Sequence, residues 1–197
     1  MTFTNDMATN ITPLDLSRFF EQHPVLETKR LLLRPRTMAD KDDIFEYASD
    51  PEITRYVIWP THRSIEDTIA FLESSSKNLA NRESIGFAIE WKENGKLIGD
   101  CAFHHIEPKH HRAKIGYVLN RNYWGKGFMT EAVRELIHFA FEEMGLHRVA
   151  ATCDFENIRS GHVMERCGMT LEGILRDSEL RHGKFVTTKT YAILNGN

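Results

Sequence analysis

The sequence predicts a single-domain α/β (α+β) fold in which helices flank a mixed, mostly antiparallel sheet. Three observations predict it. Asn94-Gly95 is a hairpin signal between two strand-like runs, a long amphipathic helix follows a strand late in the chain, and a second strand, a short helix and two further strands complete the sequence. Hairpins pair strands antiparallel, and a strand–helix–strand unit adds a parallel pair.

The composition narrows the class of protein. A chain of 197 residues with 41% apolar content can bury one full core, so one domain is expected. The net charge of −3 argues against a direct nucleic-acid partner. The three cysteines lack CxxC spacing, and no apolar leader or 18-residue apolar run is present. Reduced thiols, no membrane partner and a cytoplasmic localisation are therefore expected.

Start and stop signals divide the first half of the chain. They predict a loose tail over 1–11, a short helix opened by Thr12-Pro13 and ended before Pro24, a strand over 28–34, a helix capped by Thr37 with Asp40 through about Ser49, and a helix opened by Ser64 with Asp67. The expected domain organisation is 1–27 as a tail with a short helix, followed by one domain over 28–197.

Periodicity assigns the second half. It predicts strands over 84–91, 96–105, 113–119 and 147–153, helices over 130–144 and 160–167 that end at Gly145 and Gly168, and two last strands over 172–180 and 185–194. The hairpin between the first two strands is expected to be a type I′ turn, which needs positive φ at both Asn94 and Gly95.

A glycine-rich loop, Gly125-Lys126-Gly127, lies between a strand and a helix. Two glycines spaced this way let the backbone approach a ligand, and the amides can converge on an anion at the helix N-terminus. The loop is therefore a candidate pyrophosphate cradle, with an ordinary strand-to-helix turn as the alternative. It lacks the Lys-Ser/Thr ending of a nucleotide P-loop and the GxGxxG spacing of a dinucleotide fold.

The order of these motifs resembles the GNAT superfamily of acetyl-CoA-dependent N-acetyltransferases. The loop is similar to that family's Q/R-x-x-G-x-G/A signature, with Asn122 in place of Gln or Arg. Asn157-x-x-Ser160 and the following Val-Met-Glu-Arg-Cys-Gly-Met run resemble the RimJ/RimL branch, which acetylates protein N-termini. The resemblance covers about 28–194 and implies the GNAT fold, whose sheet is splayed between its two central strands to admit acetyl-CoA.

The resemblance also implies which residues hold the cofactor. The strand through Val118 pairs its backbone with the pantetheine arm, and a main-chain N–H near Val118 is the expected oxyanion donor. Trp124 has two readings, a hydrophobic lid or a cofactor contact, and Asn157 can both cap a helix and contact pantetheine. The expected cofactor-binding residues are Val118, Leu119, Trp124, Gly125, Lys126, Gly127, Met129, Thr130, Asn157 and Ser160.

Two residues are the predicted catalytic groups. Glu179 lies nineteen positions after Ser160, as in the RimL-like pattern, and is implied as the general base, with Asp177 a neighbouring acid where the geometry allows. Ser160 is expected to donate a hydrogen bond to the departing thiolate or to relay through water. His104 or His105 is the alternative base.

Further residues bear on the acceptor and on metals. Tyr56 and Trp59 resemble the substrate rim of RimL-type enzymes, and a core-capping role is the alternative for Trp59. Lys114 stands where the branch usually has Glu, which places the acceptor rather than the reaction in question. The histidine-rich run over 104–111 is not expected to bind metal, because strand alternation aims adjacent members apart and no cysteine completes a tetrahedral site.

The predicted activity is acetyl transfer from acetyl-CoA to a primary amine by direct attack, with no metal and no acyl-cysteine. The first hypothesis for the acceptor is a protein N-terminus, including that of a ribosomal protein. The alternatives are a small amine, such as an antibiotic, polyamine or amino acid, and a non-catalytic acyl-CoA sensor. A homodimer is left open.

Overall fold

The computed structural model describes residues 12–196 and contains one eight-stranded sheet. The strands are β1 (Leu26–Glu27), β2 (Leu31–Pro35), β3 (Ser84–Trp91), β4 (Lys96–Glu107), β5 (Arg112–Leu119), β6 (Arg148–Asp154), β7 (Thr170–Arg181) and β8 (Lys184–Leu194). Their order across the sheet is β1-β2-β3-β4-β5-β6-β8-β7, and every neighbouring pair is antiparallel except β5 with β6. The predicted mixed, mostly antiparallel sheet is therefore confirmed.

Helices cover both faces of the sheet. Those in the described residues are α1 (Ser17–Glu21), α2 (Lys41–Ala48), α3 (Pro51–Thr54), α4 (Ile65–Ala80), α5 (Phe128–Glu142) and α6 (Ile158–Arg166). Helices α1, α5 and α6 pack on one face, here called the α5 face, and α2, α3 and α4 pack on the other, the α4 face. No helix within 12–196 is long and apolar enough to cross a membrane.

Strand alternation divides the core between these faces. On β5, Ala113, Ile115 and Leu119 belong to the larger core on the α5 face, whereas Val118 packs against the smaller core on the α4 face. The stripe of α5 that the sequence predicted is buried in the larger core, where its buried members include Val133.

The two central strands separate part of the way along their length. Pairing between β5 and β6 runs from Arg112↔Arg148 to Ile115↔Ala151 and then stops. Beyond that point 116–119 pairs only with β4, and 152–154 pairs only with β8. The opening between these two stretches is called the gap below. Its presence confirms the splayed sheet that the family resemblance implied.

The N-terminal elements differ from the prediction. Helix α1 begins at Ser17 rather than at Thr12, because Asp15 Oδ1 accepts from the Ser17 amide at 3.0 Å and the Thr12 carbonyl is used by His111 Nε2 at 2.8 Å. The strand expected over 28–34 begins only at Leu31, since the Leu31 amide donates to Thr28 Oγ1 at 2.9 Å and closes a turn over 28–30 between β1 and β2.

Helix α3 is a further difference, because the sequence analysis had no helix there. Its signal was Asp50-Pro51: the Asp50 side chain caps the helix, and Pro51 occupies the first turn. The tail predicted over 1–11 lies outside the described residues. The division at residue 28 stays a prediction; Phe19 and Leu26 pack in the same core as the later strands.

Two turns also differ. The β3–β4 connection is not a type I′ turn, because Gly95 has a positive φ of 70° and Asn94 does not, and both amides bond to the Trp91 carbonyl. The helix after the glycine loop begins at Phe128, so Thr130 lies within its first turn rather than at its start. Gly145, which has a positive φ of 68°, follows the C-terminus of this helix, as the sequence predicted.

Candidate active site

The gap presents an unpaired strand edge. The Asn120 amide donates to the Ile98 carbonyl of β4 at 2.8 Å. Because ladder groups alternate in direction along an antiparallel strand, the N–H of Val118 also faces β4, and those of Tyr117 and Leu119 face the gap. The oxyanion donor expected near Val118 is therefore best supplied by one of its two neighbours. The Leu119 carbonyl is already used, since Trp124 Nε1 donates to it at 2.8 Å.

The glycine loop is shaped to expose its amides. Gly125 and Gly127 have φ of 74° and 78°, a region that side chains other than glycine rarely adopt. Across 12–196, no described group accepts from the amides of Gly125, Lys126 or Gly127. These donors stand at the N-terminus of the 15-residue helix α5, where the helix dipole favours an anion. The arrangement suits the diphosphate of acetyl-CoA.

Neighbouring side chains fix the loop from both sides. Arg30 Nη1 donates to the Lys126 carbonyl at 3.0 Å, and Arg30 Nε pairs with Glu131 at 2.6 Å. Lys126 folds back, with Nζ 3.1 Å from the Asn122 carbonyl, so its charge is held beside the loop. The loop is therefore positioned before any ligand arrives.

Trp124 makes the packing contacts expected of a hydrophobic lid, which was one of the two roles predicted for it. Its indole N–H bonds to the Leu119 carbonyl, its ring packs against both cores, and the Arg159 guanidinium lies 4.5 Å from its ring centroid. Two other predicted cofactor residues differ in exposure. Met129 is buried in the larger core, so only its backbone is available to a ligand, whereas Thr130 lines an open cleft beside Gly127.

Ser160 lies across the gap from β5 and meets a tyrosine that the sequence analysis missed. Tyr117 Oη is 2.9 Å from Ser160 Oγ and donates to the Ser160 carbonyl at 3.1 Å. Burial raises the pKa of Tyr117, so the phenol keeps its proton at neutral pH. Strand alternation was the available signal, because it puts Tyr117 on the α5 face with Ile115.

Two neighbours complete this wall. Asn157 caps α6 through its Oδ1, which accepts from the Ser160 amide at 3.2 Å, so the capping role is filled. Burial raises the pKa of Cys153 to about 11, which keeps the thiol protonated and suits direct attack on the thioester rather than an acyl-cysteine.

Glu179 lies on β7 in an ion-pair chain. Arg181 Nη2 donates to Glu179 Oε2 at 2.8 Å, and Arg181 Nη1 donates to Asp154 Oδ2 at 2.8 Å. The Arg181 side chain is only 5% exposed, and Asp154 ends β6 at the gap. The Glu179 carboxylate therefore faces a guanidinium. The main-chain amide of Asp177 donates to Thr187 Oγ1 at 3.4 Å.

His104 lies on the α4 face beside the gap. A Cβ placed on Gly116 would be 3.2 Å from His104 Cε1, so the imidazole leans over the first residue of β5 beyond its pairing with β6. Burial lowers the pKa of His104 to about 4, and the ring is therefore neutral at pH 7. The alternative base is consequently in the proton-accepting form.

The other histidines of this run do not follow simple alternation. A bulge in β4 and a φ of 47° at His105 bring the rings of His104 and His105 to 5.1 Å between centroids, so the expectation that adjacent members point apart was wrong for this pair. Within 12–196 no group of three potential metal ligands is present.

The predicted substrate residues lie on the loop between α3 and α4. Trp59 is half-buried against the smaller core, with its ring 5.3 Å from that of His62, and Tyr56 lies under the Arg55 guanidinium. The tip of the β7–β8 hairpin reaches the same region, since His182 Nε2 is 3.4 Å from the Thr54 carbonyl. Loop and hairpin therefore border the α4 face.

Comparisons with known proteins agree with this geometry. The family model for the acetyltransferase (GNAT) domain matches residues 30–170. A relative from Bacillus licheniformis, "Uncharacterized N-acetyltransferase p20", is 34% identical over 169 residues, which are 86% of this chain and 95% of the relative. The ribosomal-protein-serine acetyltransferase of Escherichia coli (strain K12) is 30% identical over 134 residues, 68% of this chain and 74% of the relative.

A solved structure shows the same fold with its cofactor. The Microcin C7 self immunity acetyltransferase MccE, in complex with acetyl-CoA and AMP, superimposes with a TM-score of 0.77 at 26% identity, and the match covers 85% of this chain and 94% of that one. With the family model, the splayed sheet and the glycine loop in agreement, the chain belongs to the GNAT family and is an acetyl-CoA-dependent N-acetyltransferase.

Proposed function

We propose that the protein acetylates the α-amine of a protein or peptide N-terminus in the cytoplasm, with the N-terminus of a ribosomal protein as one acceptor. The observation that carries the proposal is the open gap, which connects the cofactor side of β5 to an acceptor side bordered by two surface segments, the loop over 55–63 and the β7–β8 hairpin. An extended N-terminal peptide can enter between them. The similarity to a ribosomal-protein-serine acetyltransferase supports the same acceptor class.

Bound acetyl-CoA supplies an activated acyl group as a thioester. The exposed amides of 125–127 would hold its diphosphate, and the gap-facing amides of Tyr117 and Leu119 would align the pantetheine arm and donate to the thioester oxygen. The tetrahedral oxyanion that forms when the amine attacks would then be stabilised without a metal. This assignment uses donors that the fold leaves without partners, which is why these residues fit the cofactor.

The proton moves through groups on both walls of the gap. The amine nitrogen bonds to the acyl carbon and forms the tetrahedral oxyanion, the proton of the attacking nitrogen passes to a base, and the oxyanion then collapses as the carbon–sulfur bond breaks. Glu179 is the proposed base, directly or through water, and His104 is the alternative on the opposite side of the acceptor. The leaving thiolate takes a proton from the Tyr117–Ser160 pair, whose hydroxyls lie 2.9 Å apart.

A thiol-release assay tests the proposal. Purified protein with acetyl-CoA is offered peptides that begin with Ser, Ala, Thr or Met, and in parallel polyamines, aminoglycosides and free amino acids. Rapid release with one peptide class, and a mass increase of one acetyl group on its α-amine, is expected. Release only with a small amine would replace the acceptor class. Coenzyme A binding without release on any acceptor would favour the sensor.

A further inference from the structure

A trough of small residues crosses the α4 face and ends at the gap. Gly86 of β3 pairs with Ala102 of β4, which pairs with Gly116 of β5, so three adjacent strands present almost no side chain at the same level. The imidazole of His104 stands over the end at Gly116. Since neighbouring strands lie about 4.8 Å apart, the trough is roughly 10 Å long.

Arg36 occupies the far end of the trough. Its Nη2 lies 1.5 Å from the position that a Cβ on Gly86 would take, so the guanidinium rests directly on the glycine. The ring of Phe71 flanks it, with a centroid distance of 5.2 Å. Among residues 12–196, no group accepts a hydrogen bond or forms an ion pair with this guanidinium, and its Nε is buried without a partner.

A nearby arginine shows how unusual this is. Arg34 bonds to Asp40 at 2.7 Å and to Glu90 at 2.6 Å, so its charge is fully paired. The acid that shares the trough with Arg36 is Asp100, but Asp100 Oδ2 accepts from Tyr47 Oη at 2.7 Å and makes no ion pair with Arg36. The buried Nε is costly to leave without an acceptor, and the partly exposed guanidinium has donors to offer to a ligand anion.

We propose that Arg36 binds a carboxylate of the acceptor, so the preferred substrate is an N-terminus with an acidic side chain at its third residue. An extended peptide advances roughly 3.3–3.6 Å per residue, so a carboxylate there reaches the far end of the trough while the α-amine lies at the gap. This inference rests on the proposed acceptor class. It assigns Arg36 a specificity role that is independent of the proton transfers.

Matched peptides test it. The kcat/KM of acetylation is measured for Ser-Ala-Asp-amide and Ser-Ala-Asn-amide, which differ only in charge at residue three. The wild-type protein is expected to prefer the acidic peptide by about 10- to 100-fold, the range for a hydrogen bond to a charged partner. Arg36→Gln is expected to remove the preference and leave the Asn peptide unchanged, whereas the exposed Arg82→Gln retains the preference.

Gly86→Ala is a second variant, in which residue 36 is still arginine. Its methyl group would displace the guanidinium from the trough, and a reduced acidic preference is expected without loss of the charge. Thermal melts of both variants establish that they are folded, and equal kcat/KM for the two peptides in the wild type would overturn the inference without any variant.

The outcomes separate this inference from the proposed function. Acetylation of both peptides with equal kcat/KM would overturn the role of Arg36 and leave N-terminal acetylation standing. If neither these two peptides nor any peptide of the thiol-release assay is acetylated, the proposed function fails, and calorimetry with acetyl-Ser-Ala-Asp-amide and its Asn counterpart, in the presence of coenzyme A, tests Arg36 alone. Tighter binding of the acidic peptide that is lost in Arg36→Gln supports the inference; equal binding overturns it.

Discussion

Tyr117 and Ser160 face each other across the gap, with 2.9 Å between their hydroxyl oxygens. One belongs to the strand edge expected to align the thioester, and the other lies in the first turn of α6 on the opposite wall. Burial raises the pKa of Tyr117, which keeps a proton available where a thiolate would leave. The pair thus joins the two predicted walls of the site through one hydrogen bond between hydroxyl groups.

Tyr117→Phe is expected to lower kcat by about 10²-fold, because general acid catalysis contributes at least this much and phenylalanine removes only the hydroxyl. The KM for acetyl-CoA should change little. Steady-state kinetics with a poor leaving thiol, compared with the natural one, provides the check. Tyr123→Phe is the matched control and should retain kcat, because the Tyr123 ring packs against Trp91 and Phe128 and not against Ser160. Equal kcat for Tyr117→Phe and wild type would exclude the acid role.

The base is identified by two substitutions made separately. If Glu179 accepts the proton, Glu179→Gln should reduce kcat/KM by about 10²-fold or more, and His104→Gln should have a smaller effect. The reverse result would assign the base to His104. Because Glu179 also pairs with Arg181, a melt of Glu179→Gln must accompany the kinetics, and added small amines or carboxylates can be tried for rescue. Full activity in both variants would leave proton removal to solvent.

The stability of the protein should fall with pH between about 6.5 and about 4 because of His104. Its pKa is lowered by burial in the folded state, so the unfolded chain binds the proton first as the pH falls. Above pH 6.5 His104 is neutral in both states, and the free energy of unfolding is at its highest with respect to this group. It decreases as the pH falls to about 4, because the unfolded chain takes up the proton first. Denaturant unfolding at several pH values should show a shallower decline in His104→Gln. If stability declined identically in the wild type and in His104→Gln, the His104 ring would have to be solvated in the folded protein.

Gly125→Ala is expected to weaken coenzyme A binding by about tenfold or more, since the methyl group strains a φ of 74° and redirects the exposed amides. Gly95→Ala is the matched control. It has a φ of 70°, no atoms within 4 Å of a Cβ, as at Gly125, and a place in the distant hairpin. Both should lose similar stability, but calorimetry should show weakened binding only for Gly125→Ala. Equal affinity in both would contradict the cradle.

The fold was predictable because its signals are local. Capping residues such as Ser64 with Asp67, the stripe of α5 and the closing Gly145 each act within a few residues, and the structure has these features. The errors at α1 and at the β3–β4 turn arose where tertiary hydrogen bonds or loop geometry overrode local preference. Thr12, for example, looked like a cap but gives its carbonyl to His111.

The site was predictable in outline and not in its pairings. The glycine loop and Ser160 follow from motif order, but Tyr117 acts through a contact 43 residues away, and strand alternation gives a direction without a partner. Arg34 and Arg36 look equivalent in the sequence. Only the fold shows that acids surround the first and a bare glycine lies under the second.

The gap also divides the sheet mechanically. Within the sheet, a five-stranded block pairs with a three-stranded block through four residue pairs, from Arg112↔Arg148 to Ile115↔Ala151. A molecule that forms hydrogen bonds with the open edge of β5 would act as a further strand and connect the two blocks. The two blocks would then unfold more cooperatively in the complex than in the free protein. Amide hydrogen exchange should therefore be more independent between the blocks in the free protein than in the complex.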